Sequence, residues 1–274
     1  MNQFFGETLS WETEDRIATV TLHNEPANEI GSRTLEELEI LQDSLPLLER
    51  EARVLILQSS ITAGFSAGAD LRELHRRMQG LDSDERERRV RDFLVRTHRV
   101  LDALDQTALT TIAALHGVVF GGGLELALTC DILIADRFAR FCFPELRLGL
   151  IPGFGGTPRL RRDLGNAIVR DLLLLGRSLG ADRAYQVGLV SQLAGEGRAP
   201  EVARACAKQA VRFDPISAEA AKDFIKRLPR EELDREIDLF CNLFARPAVE
   251  EALRRFVEST DPMPWLPNGR ETQT

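Results

Sequence analysis

The sequence predicts a mixed α/β core of repeated strand-turn-helix units over residues 1–195, followed by a helical C-terminal region over residues 196–274. Three observations carry that prediction. Apolar runs such as Val54-Leu-Ile-Leu57 are continuous rather than alternating, as strands covered on both faces are. Small-residue turns at 63–71, 116–125 and 149–156 each follow a strand-like run, which points to one repeated unit. From about Asn166 the strand signal fades, and Pro200, Pro215, Pro229 and Pro247 each stand near a helix start.

Taken in order, residues 9–12 and 16–23 read as the strands of a hairpin joined by the acidic turn Thr13-Glu-Asp15. A polar loop precedes a helix that Thr34 is expected to cap. Leu35, Leu38, Leu41, Leu45 and Leu48 lie along one side of it, and Pro46 is expected to kink or shorten it. After the strand at 54–57 and the turn at 63–71, residues 82–99 are densely charged. Val90, Phe93, Leu94, Val100, Leu101 and Leu104 make a helical stripe there, with a solvated opposite face as the plain reading and an anion-binding face as the sharper one. Strands return at 109–115, 131–135 and 140–143. The basic segment Pro158-Arg-Leu-Arg-Arg162 follows the third turn, but no Gly-x-x-x-x-Gly-Lys-[Ser/Thr] phosphate loop occurs. The amphipathic faces of the last third are candidates for subunit contacts, and the tail from Trp265 is expected to fray.

With 274 residues, 43% of them hydrophobic, the chain can bury a substantial core. Its start has no basic patch leading into an apolar block, so a cytoplasmic location is expected. The most apolar stretch, 109–135, contains His116, three adjacent glycines, Glu125 and Asp131, which disfavours a membrane span. Cys130, Cys142, Cys206 and Cys241 are scattered without paired spacing, and no His-x-x-x-His occurs; reduced thiols and no metal are expected. A formal net charge of -8 disfavours nucleic-acid binding, with the arginines of 86–99 as the sole support for an RNA-binding scaffold.

The chemistry concentrates in His116-Gly-Val-Val-Phe-Gly121-Gly-Gly-Leu-Glu125. Glycines at a strand-to-helix turn let a ligand approach bare backbone amides, a setting that suits a carbonyl oxygen gaining charge. Glu125 sits among Leu124, Leu126, Ala127 and Leu128, where a carboxylate has no packing purpose. A decoy precedes it: Gly64-Phe-Ser66-Ala-Gly68 matches the Gly-x-Ser-x-Gly elbow of serine hydrolases. That fold places an acid and then a histidine after the serine, and no histidine lies beyond His116, so Ser66 reads as a small turn residue.

Three blocks resemble the crotonase, or enoyl-CoA hydratase/isomerase, superfamily: Phe65-Ser-Ala-Gly-Ala-Asp-Leu-Arg-Glu-Leu74, the Gly-Gly-Gly-x-Glu-Leu-Ala run within 116–131, and Phe143-Pro-Glu145 through Gly149-Leu-Ile-Pro-Gly-Phe-Gly-Gly156. Residues 181–190 are similar to a downstream helix-turn of the family. The resemblance implies a crotonase-like spiral of repeated ββα units, with a C-terminal helical region for trimerisation and active-site covering, assembled as a trimer or a dimer of trimers. It implies hydration of an enoyl-CoA in fatty acid metabolism, or the reverse dehydration. Isomerisation, or dehydration of a branched 3-hydroxyacyl thioester on CoA or a carrier protein, is the alternative. By resemblance, the amides of Ala69 and Gly122 hold the thioester oxygen, Glu125 activates water, Glu145 exchanges the α-proton and Gly153 helps hold the water. Ala67, Asp70, Leu71, Arg72 and Phe143 are expected to contact the substrate, with Leu74 and Met78 as further acyl-pocket candidates. No cofactor is expected, coenzyme A being part of the substrate. Arg72 replaces a common lysine, Phe143 replaces a common glutamine, and 256–261 is acidic where hydratases often carry lysines.

Overall fold

In the computed structural model, which describes residues 3–259, the chain winds through repeated pairs of strands followed by helices. The tail from Trp265 lies outside the described residues. β1 (Gln3–Phe5), β2 (Leu9–Glu14) and β3 (Ile17–Leu22) are antiparallel, and β4 (Glu29–Ile30) leads into α1 (Ser32–Glu51). The next turn comprises β5 (Val54–Ser59), β6 (Gly64–Ser66), β7 (Gly68–Ala69), α2 (Leu71–Met78) and α3 (Ser83–Gln106). The third comprises β8 (Thr110–Leu115), β9 (Val118–Phe120) and α4 (Gly122–Ala127). The fourth comprises β10 (Ile132–Asp136), β11 (Arg140–Cys142), a 3₁₀ turn at Glu145–Leu148, α5 (Gly156–Asp163) and α6 (Asn166–Leu175). β12 (Leu179–Gly180), α7 (Ala181–Gln186) and β13 (Gln192–Ala194) follow, then α8 (Ala199–Ala210), α9 (Pro215–Ile225), α10 (Arg230–Phe244) and α11 (Pro247–Glu258).

Successive turns place one strand in a seven-stranded sheet, order β1-β2-β3-β5-β8-β10-β13, and one in a four-stranded sheet, order β12-β11-β9-β6. The large sheet is parallel from β3 onward, so both faces need cover. Period-two alternation supplies it. Leu55, Leu57, Ala113 and Leu115 enter the main core, whereas Val54, Ile56, Ile112 and Ile134 meet Ala199, Ala203 and Ala207 of α8. That alanine stripe, spaced i, i+4, i+8, lets the helix lie close to the sheet.

The small sheet positions the site. β6, β9 and β11 run parallel, with Ser66 opposite Val119 and Phe120 opposite Cys142, so the chain leaves all three at one edge. Residues 67–69, 121–125 and 143–145 are thereby gathered from distant parts of the sequence.

Several local expectations change. Gly31, not Thr34, precedes the first residue of α1; Thr34 lies in the first turn and donates to the Glu29 carbonyl at 3.2 Å. α1 is not shortened at Pro46. The proline is exposed, so the carbonyl it leaves without a donor faces water while Leu41, Leu45 and Leu48 stay buried. β12 and β13 fall within 166–195, where the strand signal fades; at two and three residues each, on sheet edges, they are too short to show a period. Among the described residues no helix is long and apolar enough to cross a membrane.

Candidate active site

At the shared edge of β6, β9 and β11 lies a cavity of about 400 Å³. It is lined by Ala67, Ala69, Asp70 and Leu71 after β6, Gly122 and Glu125 of α4, Glu145 after β11, and Gly153. The two glycine turns touch backbone to backbone. Gly68 has φ 96°, and a Cβ there would come within 2.9 Å of the Phe120 carbonyl and 3.0 Å of the Gly122 amide. A Cβ on Gly122 would in turn stand 3.4 Å from the Ala69 amide nitrogen and 2.6 Å from the Phe154 ring. Small residues thus bring two stretches of main chain together at the cavity wall.

Glu125 is 2% exposed, and its Oε1 accepts from the Phe154 and Gly156 amides, each at 2.8 Å. Burial pushes its carboxyl up to about 7, against the pull of those amides and of the Arg159 charge. Glu145 is held differently. Burial first, and then the charge of Glu125, push its carboxyl well above the usual range, and its Oε2 is buried without a hydrogen-bond partner. Only glycine at 121 leaves it room, since a Cβ there would lie 2.6 Å from Glu145 Oε1. Two carboxyls that sense each other titrate as a pair, with the better-supported Glu125 the first to ionise.

The loop Gly153-Phe-Gly-Gly156 that supports Glu125 is itself held from behind. His98 Nε2 donates to the Gly153 carbonyl at 2.8 Å, and the Gly155 amide donates to Glu236 Oε1 at 2.6 Å. Fully buried Arg159 donates through Nη1 to the Phe154 and Gly155 carbonyls, both at 3.2 Å, and pairs with Asp105 and Asp102 at 2.6 and 2.5 Å. Sequence reasoning missed His98, Arg159 and Glu236. A signal existed for two of them: His98 falls on the apolar stripe of Leu94 and Leu101, and Glu236 on that of Leu233, Ile237 and Phe240.

Arg72 and Phe143 are not among the residues that line this cavity. Arg72 donates to the Val257 carbonyl at 3.1 Å and stacks over the Phe256 ring at 5.4 Å, tying α2 to α11. Phe143, 1% exposed, packs behind the wall, its Cζ 3.0 Å from where a Gly156 Cβ would stand. Leu74 and Met78 do line the cavity, joined by Phe93, Phe154, Phe240 and Phe256. Asp70 also caps α2, accepting from the Glu73 amide at 2.7 Å. Ser66 is fully buried, its Oγ donating to the Asn28 carbonyl at 2.7 Å, as befits a turn residue rather than an exposed nucleophile. On the charged helix Arg86, Arg91 and Arg96 pair with Glu250, Asp238 and Glu39.

A double-sheet spiral with this strand order is the crotonase fold. An enoyl-CoA hydratase from Bacillus halodurans superposes with a TM-score of 0.80 over 90% of this chain and 99% of that one, at 23% identity. Residues 12–265 match the family model for enoyl-CoA hydratase/isomerase, and the chain belongs to that family. It is 36% identical to a Rhizobium meliloti protein named "Probable enoyl-CoA hydratase", over 92% of this chain and 95% of that one. A short-chain-enoyl-CoA hydratase of Clostridium acetobutylicum is 31% identical over 90% and 93% of the two chains.

Proposed function

We propose that the protein is an enoyl-CoA hydratase, a hydro-lyase that adds water across the 2,3 double bond of an enoyl-thioester or removes it in reverse. The observation that carries this reading is a pair of glutamates on one cavity with unequal support, Glu125 held by two amides and Glu145 with a buried oxygen left free of hydrogen bonds. Hydration needs one group that takes a proton from water and one that gives a proton to the α-carbon. Glu125, the easier to ionise, takes the water proton as the oxygen bonds to the β-carbon. Glu145, kept protonated by burial and by Glu125, gives its proton to the α-carbon, and a proton returning from Glu125 to Glu145 resets the pair. Charge building on the thioester oxygen meets the Ala69 and Gly122 amides, and the Gly153 turn helps seat the water. Isomerisation needs one acid to carry a proton between two carbons, so a facing pair favours hydration.

The acyl chain lies along Leu74, Met78, Phe93 and Phe240, and Arg77, Arg88 and Arg89, which also line the cavity and pair there with Glu73 and Glu85, would have to exchange those partners to meet the CoA phosphates. No group beyond coenzyme A is required, because the acid, the base and the oxyanion donors all come from the chain. Phe240 of α10 and Phe256 of α11 support a covering role for the C-terminal helices. Exposed Phe213, Ile216, Phe224 and Ile225 support their use in a trimer or a pair of trimers. Four free cysteines support a reducing, cytoplasmic location.

The test follows loss of the conjugated-thioester absorbance with a panel of enoyl-CoAs. Glu125→Gln and Glu145→Gln should each lower kcat by roughly 10²- to 10⁴-fold while acyl-CoA binding persists. Near-normal hydration by either purified variant defeats the assignment.

A further inference from the structure

The amides of the loop that supports Glu125 alternate in direction. Phe154 and Gly156 turn towards Glu125, and Gly155 between them turns away to Glu236 Oε1 at 2.6 Å. Glu236 is 4% exposed and stands on the buried stripe of α10 beside Leu233, Ile237 and Phe240. Its Oε2 is buried without a hydrogen-bond partner. A carboxyl in that setting lowers stability compared with an apolar residue of the same size, so its packing does not explain its presence. What it does have is the Gly155 amide, in a segment where three of four residues are glycine and Gly155 itself has φ 90°. Such a segment has many backbone conformations open to it.

We propose that Glu236 is a positioning residue for Glu125: by accepting the Gly155 amide it fixes the rotation of the loop and so keeps the Phe154 and Gly156 amides aimed at the catalytic carboxyl. Without an acceptor, the buried Gly155 N–H turns to find one, and the neighbouring peptide planes turn with it. His98 holds the preceding carbonyl of Gly153 at 2.8 Å, and Arg159 Nη1 holds the Phe154 and Gly155 carbonyls at 3.2 Å each. Glu236, the acceptor for the loop's outward-facing amide, thus completes a set whose other contacts are all to carbonyls. The same helix carries Phe240, which lines the cavity and lies 2.6 Å from the position of a Gly153 Cβ. The seat of α10 therefore joins the acyl wall to the support of the base.

Four groups face Glu236: Glu125 from α4, Arg159 and the Thr157 hydroxyl from α5, and His98 from α3, whose Nε2 is 3.9 Å away. Burial, then the Glu125 charge, push the Glu236 carboxyl well above the usual range, so it stays neutral while Glu125 ionises. His98 is pushed down to about 4 by burial and is neutral as well. A neutral carboxyl accepts an amide as a carboxamide does, which makes glutamine the conservative replacement and methionine the replacement of similar length that lacks the oxygen.

The inference rests on the reading of Glu125 as the base, and the experiment separates the two. Glu236→Gln and Glu236→Met are compared in the full chain, folding being checked by thermal melting. Glu236→Gln should keep kcat within about 3-fold and leave the acid limb of the kcat/KM profile in place. Glu236→Met should lower kcat by about 10- to 100-fold with KM little changed. It should also move the acid limb up by about half a pH unit or more, because the Glu125 carboxylate loses amide support. Carboxyl ¹³C NMR of Glu125, assigned by difference against Glu125→Gln, reads the same shift without any turnover. Wild-type protein that hydrates no enoyl-CoA sinks the functional reading, and the NMR titration still judges Glu236. A folded Glu236→Met variant with the wild-type profile, or Glu236→Gln impaired as severely as Glu236→Met, overturns the proposal. Should Glu236→Met not fold, Glu236→Asp, one methylene too short to reach the Gly155 amide, carries the same expectations, and an unshifted Glu125 in it is equally fatal.

Discussion

Replacing Gly156 by alanine probes the support of Glu125 without touching either acid. An alanine Cβ at this position would stand 2.5 Å from Glu125 Cγ, 2.9 Å from its Oε1 and 3.0 Å from the Phe143 ring. Carbon atoms in contact sit about 3.5–4.0 Å apart, so the carboxyl has to retreat by roughly 1 Å. Phe143 is 1% exposed and closes the other side, so the strain falls on Glu125. The backbone is not at fault: Gly156 opens α5, where alanine is ordinarily favoured over glycine by about 0.5–1 kcal/mol. Displacement weakens two hydrogen bonds from amides to a charged group, of which each contributes about 1.5–3 kcal/mol. A misplacement of about 1 Å at a reacting group costs about 10²-fold, or about 2.7 kcal/mol in the barrier. Gly156→Ala should therefore lower kcat about 100-fold with KM little changed. Gly180→Ala, where a Cβ would meet nothing within 4 Å, should be silent. The assay is enoyl-thioester absorbance under saturating substrate, with thermal melts to show that both variants fold. A folded Gly156→Ala protein with kcat within about 3-fold of wild type would refute the claim that this loop sets the position of the base.

Three further outcomes are expected. Because burial raises Glu125 to about 7 in the free protein, kcat/KM should fall as pH drops through that region, and it should fall again at higher pH as Glu145 loses its proton; a profile flat across neutrality contradicts the pairing. The same shift has a stability sign: folded Glu125 keeps a proton that the unfolded chain releases near 4.5, so stability falls as pH rises from there to about 7. Glu125→Gln, which cannot ionise, should then melt higher relative to wild type at pH 8 than at pH 4, and a constant difference would argue against a buried, raised carboxyl. Gly68→Ala should cost about 10²-fold in kcat by driving the two glycine turns apart, given φ 96° and a Cβ 3.0 Å from the Gly122 amide; an unchanged kcat in a folded variant would mean that these amides do not meet the developing charge.

Some features were legible from local signals. The hairpin of β2 and β3, the strand at 54–57 and the proline-marked starts of α8 to α11 follow from periodicity and turn chemistry within short windows. Glu125 stood out because an acid amid leucines conflicts with its neighbours, whereas Glu145 was legible only through the resemblance of Phe143-Pro-Glu145 to a family block. Other features depend on which strands lie side by side. The parallel register of β6, β9 and β11 brings Ala69, Gly122 and Glu145 to one edge, and nothing within any of those segments encodes the pairing. Arg72 and Phe143 likewise meet neighbours that no local motif names, Arg72 the Val257 carbonyl and the Phe256 ring of α11, and Phe143 the backbone at Gly156. Glu236 is a further case: 81 residues beyond Gly155, it reaches the site because α10 packs on α3 and behind the loop. Chemical type and local shape are thus written residue by residue. Which acid meets which amide is set by long-range packing, because a hydrogen bond depends on ångström distances that sequence separation does not constrain.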